Sequence, residues 1–188
     1  MKVAVTALAA CEHPNAFELQ GYFKHHISEE AGHEEWVLQD FQTLGISRST
    51  VCSQTPSSNI AAAVGAQYYW IHHFSPLTLL GYIAVIEGYP PTHQELTAYS
   101  VSTGLPVGAF STLFKHAELD KRHGADLDRL LDRLTLSDAD MRLIGTSAYS
   151  VIKHLASEVQ AIGERSFPRH DFQLQNRLAT LEEMPINV

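Results

Sequence analysis

The run Leu79-Leu-Gly-Tyr-Ile-Ala-Val-Ile86 carries no charge, and the residue that ends it is Glu87. A helix that is apolar nearly all round has no face to offer water, so a chain containing it must wrap other helices about it. The carboxylate at its end then has to be accounted for. An isolated buried carboxylate is costly or forced neutral, so Glu87 either reaches solvent past Gly88 or lies beside a cation.

The rest of the chain has the same helical character. Apolar residues recur at helix spacing almost throughout, and alternation of Val, Ile and Thr is nearly absent. Turn signals fall at Gly45, Pro76, Pro90-Pro91, Gly104 and Leu136. They predict a helix from Pro14 or Asn15 to about Leu44, a loop over 47–58 and a helix from Ser58 or Asn59 to His73. A helix over 77–88 follows, then one that ends at Gly104 and a long one from Pro106 to about Leu134. Ser137-Asp-Ala-Asp140 resembles a capping box and starts a last helix to about Ile162. Polar residues after Pro168 are expected to pack loosely. The opening eleven residues read as the end of an apolar helix; they superficially resemble a signal h-region, but Glu12 and His13 follow at once. The expectation is one all-α domain over residues 1–188, with five to seven helices and a motif-bearing core at about 15–165. At 188 residues and 45% hydrophobic, the chain can bury a sizeable core.

Composition removes several function classes. Thirteen Lys and Arg against 21 Asp and Glu give a net charge of −8, with no basic cluster, which argues against nucleic acid or an anionic membrane as partner. Two cysteines, Cys11 and Cys52, can form neither a disulfide framework nor a Cys-rich zinc site. The apolar run 77–86 is too short to span a bilayer. A cytoplasmic location is expected.

The chemistry-bearing residues fall on three segments. His116, Asp120 and His123 sit at i, i+4 and i+7, one helix face repeated over two turns. Glu30 and His33 sit at i, i+3, and Glu87 lies between the two groups in sequence. Carboxylate and imidazole donors without thiolate suit iron or manganese better than structural zinc. Carboxylates can bridge two cations while imidazoles bind terminally, leaving open positions for dioxygen or substrate. Six such donors read as a dinuclear iron site. Each motif alone has a plainer reading. Glu29, Glu30, Glu34 and Glu35 form an acidic solvated face, with His25 and His26 adding ambiguity, and Lys115, Lys121, Arg122 and Asp126 give the His116 helix a wet side. The conjunction of all three is what favours metal. Trp36, Tyr68, Tyr69, Trp70 and Tyr82 are candidate pocket residues, with plain core packing as the alternative. Asp40 is either a partner of a ligating histidine or an exposed helix-end acid.

The order Glu-x-x-His, then Gly81-Tyr-x-x-x-x-Glu87-Gly, then His-x3-Asp-x2-His resembles the haem-oxygenase-like di-iron oxidases, a group of iron-containing redox enzymes. His26-Ile-Ser-Glu-Glu-Ala-Gly-His33-Glu-Glu-Trp36, Asp40-Phe-x3-Gly45 and Tyr68-Tyr69 support the match, which covers about residues 20–160. The resemblance implies a haem-oxygenase-like helical bundle with Glu30, His33, Glu87, His116, Asp120 and His123 as iron ligands. It implies two Fe ions cycling between Fe(II) and Fe(III), dioxygen as co-substrate and a small organic substrate. Members include a fatty-acid decarboxylase, amino-acid-cleaving lyases, N-oxygenases and an oxidase that builds a p-aminobenzoate from a tyrosine, so the family fixes the metallochemistry and leaves the substrate open. Relatives carry one or two further helices ahead of the Glu-x-x-His segment, so this chain is expected either to be shortened there or to close its bundle as a homodimer. Alternatives are a ferritin-like di-iron carboxylate bundle, which leaves His116 unexplained, a thiaminase-II-like metal-free relative, and a metal-free helical binding protein. True haem oxygenase would use one axial histidine, and its Gly-rich distal helix is not evident.

Overall fold

The computed structural model describes residues 1–10 and 12–166. Among these the chain is all-α, with no strand. The helices are α1 (Lys2–Ala9), α2 (Ala16–Glu29), α3 (His33–Thr43), α4 (Arg48–Cys52), α5 (Ser58–His73), α6 (Thr78–Glu87), α7 (His93–Thr103), α8 (Ser111–Leu131) and α9 (Asp138–Ser166), with a 3-10 turn at Val107–Phe110. Among the described residues this exceeds the expected five to seven helices, because one expected helix is cut in two and the short α4 is added. The polar stretch after Pro168 and Cys11 lie outside the described residues.

The apolar run becomes α6, and the bundle is built round it. Thr78, Leu79, Leu80, Gly81 and Ile83 are buried. α6 lies along α9, with α5 and α8 on its other sides. Gly81 permits the closest of these approaches: a Cβ there would stand 2.2 Å from the backbone oxygen of Ile144 and 2.9 Å from the backbone nitrogen of Ala148, both on α9. Leu19 and Phe23 from α2, Ile71 from α5, and Leu127 and Leu130 from α8 complete the core, with Ala4 and Leu8 of α1 sealing one end. Asn15 ties the start of α2 to the α8–α9 turn, donating from Nδ2 to the Thr135 carbonyl (2.9 Å) and accepting from the Thr135 N–H (3.0 Å).

Three expectations are corrected by local chemistry. The helix expected from Asn15 to Leu44 is two helices, α2 and α3, because Gly32 adopts a left-handed φ of 91° that turns the chain between Glu30 and His33. The loop expected over 47–58 contains α4, a single turn capped by Ser47, whose Oγ accepts from the Thr50 N–H at 3.1 Å. The helix expected from Pro106 begins at Ser111 and ends at Leu131. Its first turn is held from α3: the Asp40 carboxylate accepts from Ser111 Oγ and, at 2.9 Å, from the Thr112 N–H. Asp40 is therefore neither an exposed helix-end acid nor in contact with a histidine. It is a buried N-terminal clamp on α8, and these hydrogen bonds hold its carboxyl below the usual range although burial pushes the other way. The starts of α5, α6 and α9 fall within two residues of those read from the sequence. At α9, Ser137 and Asp140 exchange hydrogen bonds as a capping box does, Asp140 accepting from the Ser137 N–H (2.9 Å) and donating its own N–H to Ser137 Oγ (3.2 Å).

Candidate metal centre

The six residues singled out by spacing meet in the space between α2, α3, α6 and α8. α8 brings three of them: Asp120 and His123 stand on its buried face with Thr112, Ala117, Leu127 and Leu130, in positions that are otherwise core, and His116 lies half-buried at the edge of that face. α6 ends with Glu87, whose side chain is 12% exposed. The exit to solvent past Gly88 is thus not taken. The α2–α3 corner supplies the other pair. Glu30 caps the end of α2, its N–H donating to the His26 carbonyl, and His33 begins α3 on the far side of Gly32.

Within this space the donors fall into two triads. Glu30, His33 and His116 place one donor atom each within 4.8 Å of one another, and so do Glu87, Asp120 and His123. Glu30 spans both. Its Oε2 lies 2.9 Å from His33 Nδ1 and 3.9 Å from His116 Nε2, while its Oε1 lies 3.7 Å from His123 Nδ1. His123 Nδ1 is also 3.3 Å from Glu87 Oε2 and 3.4 Å from Asp120 Oδ1. Glu30 Oε1, Glu87 Oε2, Asp120 Oδ1 and His123 Nδ1 are all buried, and none makes a hydrogen bond. Four orphaned polar atoms, three of them carboxylate oxygens, converge on one point. Native interiors leave few such groups without a partner, and oxygens of this kind have a cation as their natural complement. The Asp120 carboxyl is accordingly pushed above its usual range. Burial is the main cause; the Glu87 and Glu30 charges add to it, and His116 and His123 oppose it.

The surroundings orient these donors. His116 Nδ1 lies 3.0 Å from the Thr112 carbonyl. A carbonyl can only accept, so Nδ1 carries the proton and Nε2 presents its lone pair inward. His33 stacks on Trp36, ring centroids 3.9 Å apart, and the Lys115 ammonium covers the Trp36 ring at 4.1 Å. Glu29, held by Arg122 at 2.7 Å, stands 3.8 Å from His123 Nε2, too far to hydrogen-bond it, and with His26 and His123 forms a third set of donors within 4.8 Å of one another. Glu118 points outward, paired with Lys121 and His93.

His26 and Glu29, which spacing alone did not single out, also reach the site, and His26 is the more buried of the two. It is 2% exposed, and its Nε2 lies 3.0 Å from Glu87 Oε1. It donates there, leaving Glu87 Oε2 to face the centre. Burial would make the imidazolium harder to form, but the Glu87 hydrogen bond and the charges of Glu87, Glu30 and Glu29 outweigh it, and its pKa is raised. Tyr22 stacks on its other face. A signal was present: Leu19, Phe23, His26 and Glu30 follow one another at helix spacing along the buried face of α2.

A cavity of about 610 Å³ opens beside the centre, with Glu30 and Glu87 in its wall and Tyr68 and Tyr82 among its lining. Tyr69 and Trp70 pack instead with Phe74. No helix among the described residues is long and apolar enough to cross a membrane.

No curated protein matches the chain. A crystal structure of a domain of unknown function with a heme oxygenase-like fold, from Shewanella denitrificans OS217, superposes with a TM-score of 0.73 at 21% identity, covering 91% of this chain and 72% of that one. The fold is therefore the heme oxygenase-like helical bundle. The family model described as iron-containing redox enzyme matches residues 3–152, nearly the whole described bundle, and the chain belongs to that family.

Proposed function

We propose that the protein is a non-haem di-iron oxidase that uses dioxygen to oxidise a small organic substrate. The observation that carries the reading is the convergence of Glu30 Oε1, Glu87 Oε2, Asp120 Oδ1 and His123 Nδ1, buried and without hydrogen bonds. One ion would be held by Glu30, His33 and His116, the other by Glu87, Asp120 and His123. The donors fit iron: three carboxylates and three imidazoles without sulfur, and three negative charges against two divalent cations. A ferritin-like plan would leave His116 idle, whereas here His116 faces the Glu30–His33 pair.

Two Fe(II) ions held here would give dioxygen two electrons, and the substrate being oxidised would give the rest. The protein's own part is orientation and exclusion of water. The Thr112 carbonyl fixes the tautomer of His116, His26 holds one oxygen of Glu87 so that the other faces inward, and Trp36 fixes the ring plane of His33. A substrate filling the largely apolar cavity would displace water from beside the centre.

The test is oxygen consumption by iron-loaded protein. Asp120→Ala is expected to lose one iron and abolish uptake with helicity intact. Glu118→Ala, two residues away on the outer face, is expected to keep both. Equal iron loss in the two variants would mean that the inner face of α8 is misassigned, and unchanged uptake in Asp120→Ala would end the di-iron reading.

A further inference from the structure

The 610 Å³ cavity is within the range that holds a drug-sized ligand. Its mouth is formed by exposed residues, among them Lys2, Glu34, Val64 and Tyr68, and its floor by Ile71, Leu79 and Ile83, each 6% exposed or less. Polarity changes along this axis. Among the described residues lining the cavity, Lys2 is the only cationic side chain, and it lies at the mouth. Gln67 reaches the floor with its amide already committed: Oε1 accepts from Ser147 Oγ at 3.1 Å, and Nε2 donates to the Ala63 carbonyl at 3.2 Å. Apart from the carboxylates of the centre, the Tyr82 phenol and the half-buried α-amino group of Met1 are the polar groups left in the lining away from the mouth.

A hydroxyl-rich or charged group placed on that floor would lose its hydration and find few partners. Aliphatic carbon would be favoured there by its removal from water. We infer that this cavity is the substrate chamber and that it takes a molecule whose buried part is aliphatic and uncharged, lying along Ile71, Leu79 and Ile83 with the Glu30–Glu87 wall at its side. The assignment of the chamber to substrate rests on the di-iron reading; the preference for aliphatic ligands rests on the cavity alone.

The two are separated by calorimetric titration of the full chain, after EDTA treatment and after anaerobic Fe(II) loading, with 1-octanol and with a hexose as a polar probe of similar size. Saturable binding of 1-octanol in both forms is expected, with no detectable binding of the hexose. Val64→Trp fills the mouth from a surface position that tolerates bulk, and should weaken 1-octanol binding at least tenfold at unchanged iron content. Ile71→Ala deepens the floor, and should move the preferred chain length from 1-octanol toward 1-decanol, a shift that a purely structural role for Ile71 would not produce. Hexose binding as tight as that of 1-octanol, or undiminished 1-octanol binding in Val64→Trp, overturns the inference. Iron uptake without 1-octanol binding removes the aliphatic chamber and spares the metal centre; 1-octanol binding without iron uptake does the reverse.

Discussion

Asp120→Asn keeps the size and shape of the side chain and removes one charge from the crowd. Oxygen donors of Glu87 and Asp120 lie within 4.8 Å of each other. At an effective dielectric of about 20, two like charges at that separation repel by roughly 3 kcal/mol. The imidazoles of His116 and His123 offset part of this, as they do in the shift of Asp120 itself. A net gain of about 1–2 kcal/mol on removing the charge follows, or roughly 2–8 °C in Tm for a chain of this length. In EDTA at pH 7, thermal unfolding followed by circular dichroism should therefore show Asp120→Asn melting above the unmodified protein. Saturating Fe(II) without oxygen should invert the order. The unmodified protein gains about 2.7 kcal/mol at a hundredfold excess over Kd, and the variant, lacking a charged ligand, gains less. An Asp120→Asn protein that melts lower in EDTA would refute the reasoning, since it would mean that the carboxylate is satisfied by the protein itself.

Gly81→Ala should destabilise by about 2–4 kcal/mol, because a Cβ 2.2 Å from the Ile144 carbonyl oxygen forces α6 and α9 apart; urea unfolding measures it. His26→Leu should keep the core packed but free Glu87 Oε1, lowering Fe(II) affinity about 10–100-fold in an anaerobic binding titration, whereas a merely structural role would change Tm and leave affinity alone. Asp40→Asn should cost about 1 kcal/mol at pH 7. The Asp40 carboxyl is depressed in the folded state, so its stabilisation is full above the ordinary aspartate range and disappears as pH falls through the folded value. Acid titration of Tm should accordingly show the Asp40→Asn and unmodified curves converging at low pH.

The sequence is most informative where one residue's chemistry has one outlet. An uncharged run ending in Glu87 leaves that carboxylate only solvent past Gly88 or a cation, and the i, i+4, i+7 spacing on α8 needs only a helix to become one face. These were legible because helix periodicity is local. The α2–α3 corner was not, because a helix also tolerates an interior glycine; that Gly32 turns the chain follows from Glu30 and His33 having to approach the centre from two directions, which only the packed bundle determines. His26 shares its neighbourhood with His25, and the assembled structure separates them: His26 is buried against Glu87 while His25 is exposed beside Glu29. Asp40 holds α8 from 71 residues away, a contact that no spacing rule within one segment reports.

The most direct test of the metal centre is an anaerobic Fe(II) titration of the metal-free full chain, with bound iron counted per chain. Two equivalents, falling to about one in Asp120→Ala, are the expected result. No bound iron, or saturation at a single equivalent in the unmodified chain, would contradict it.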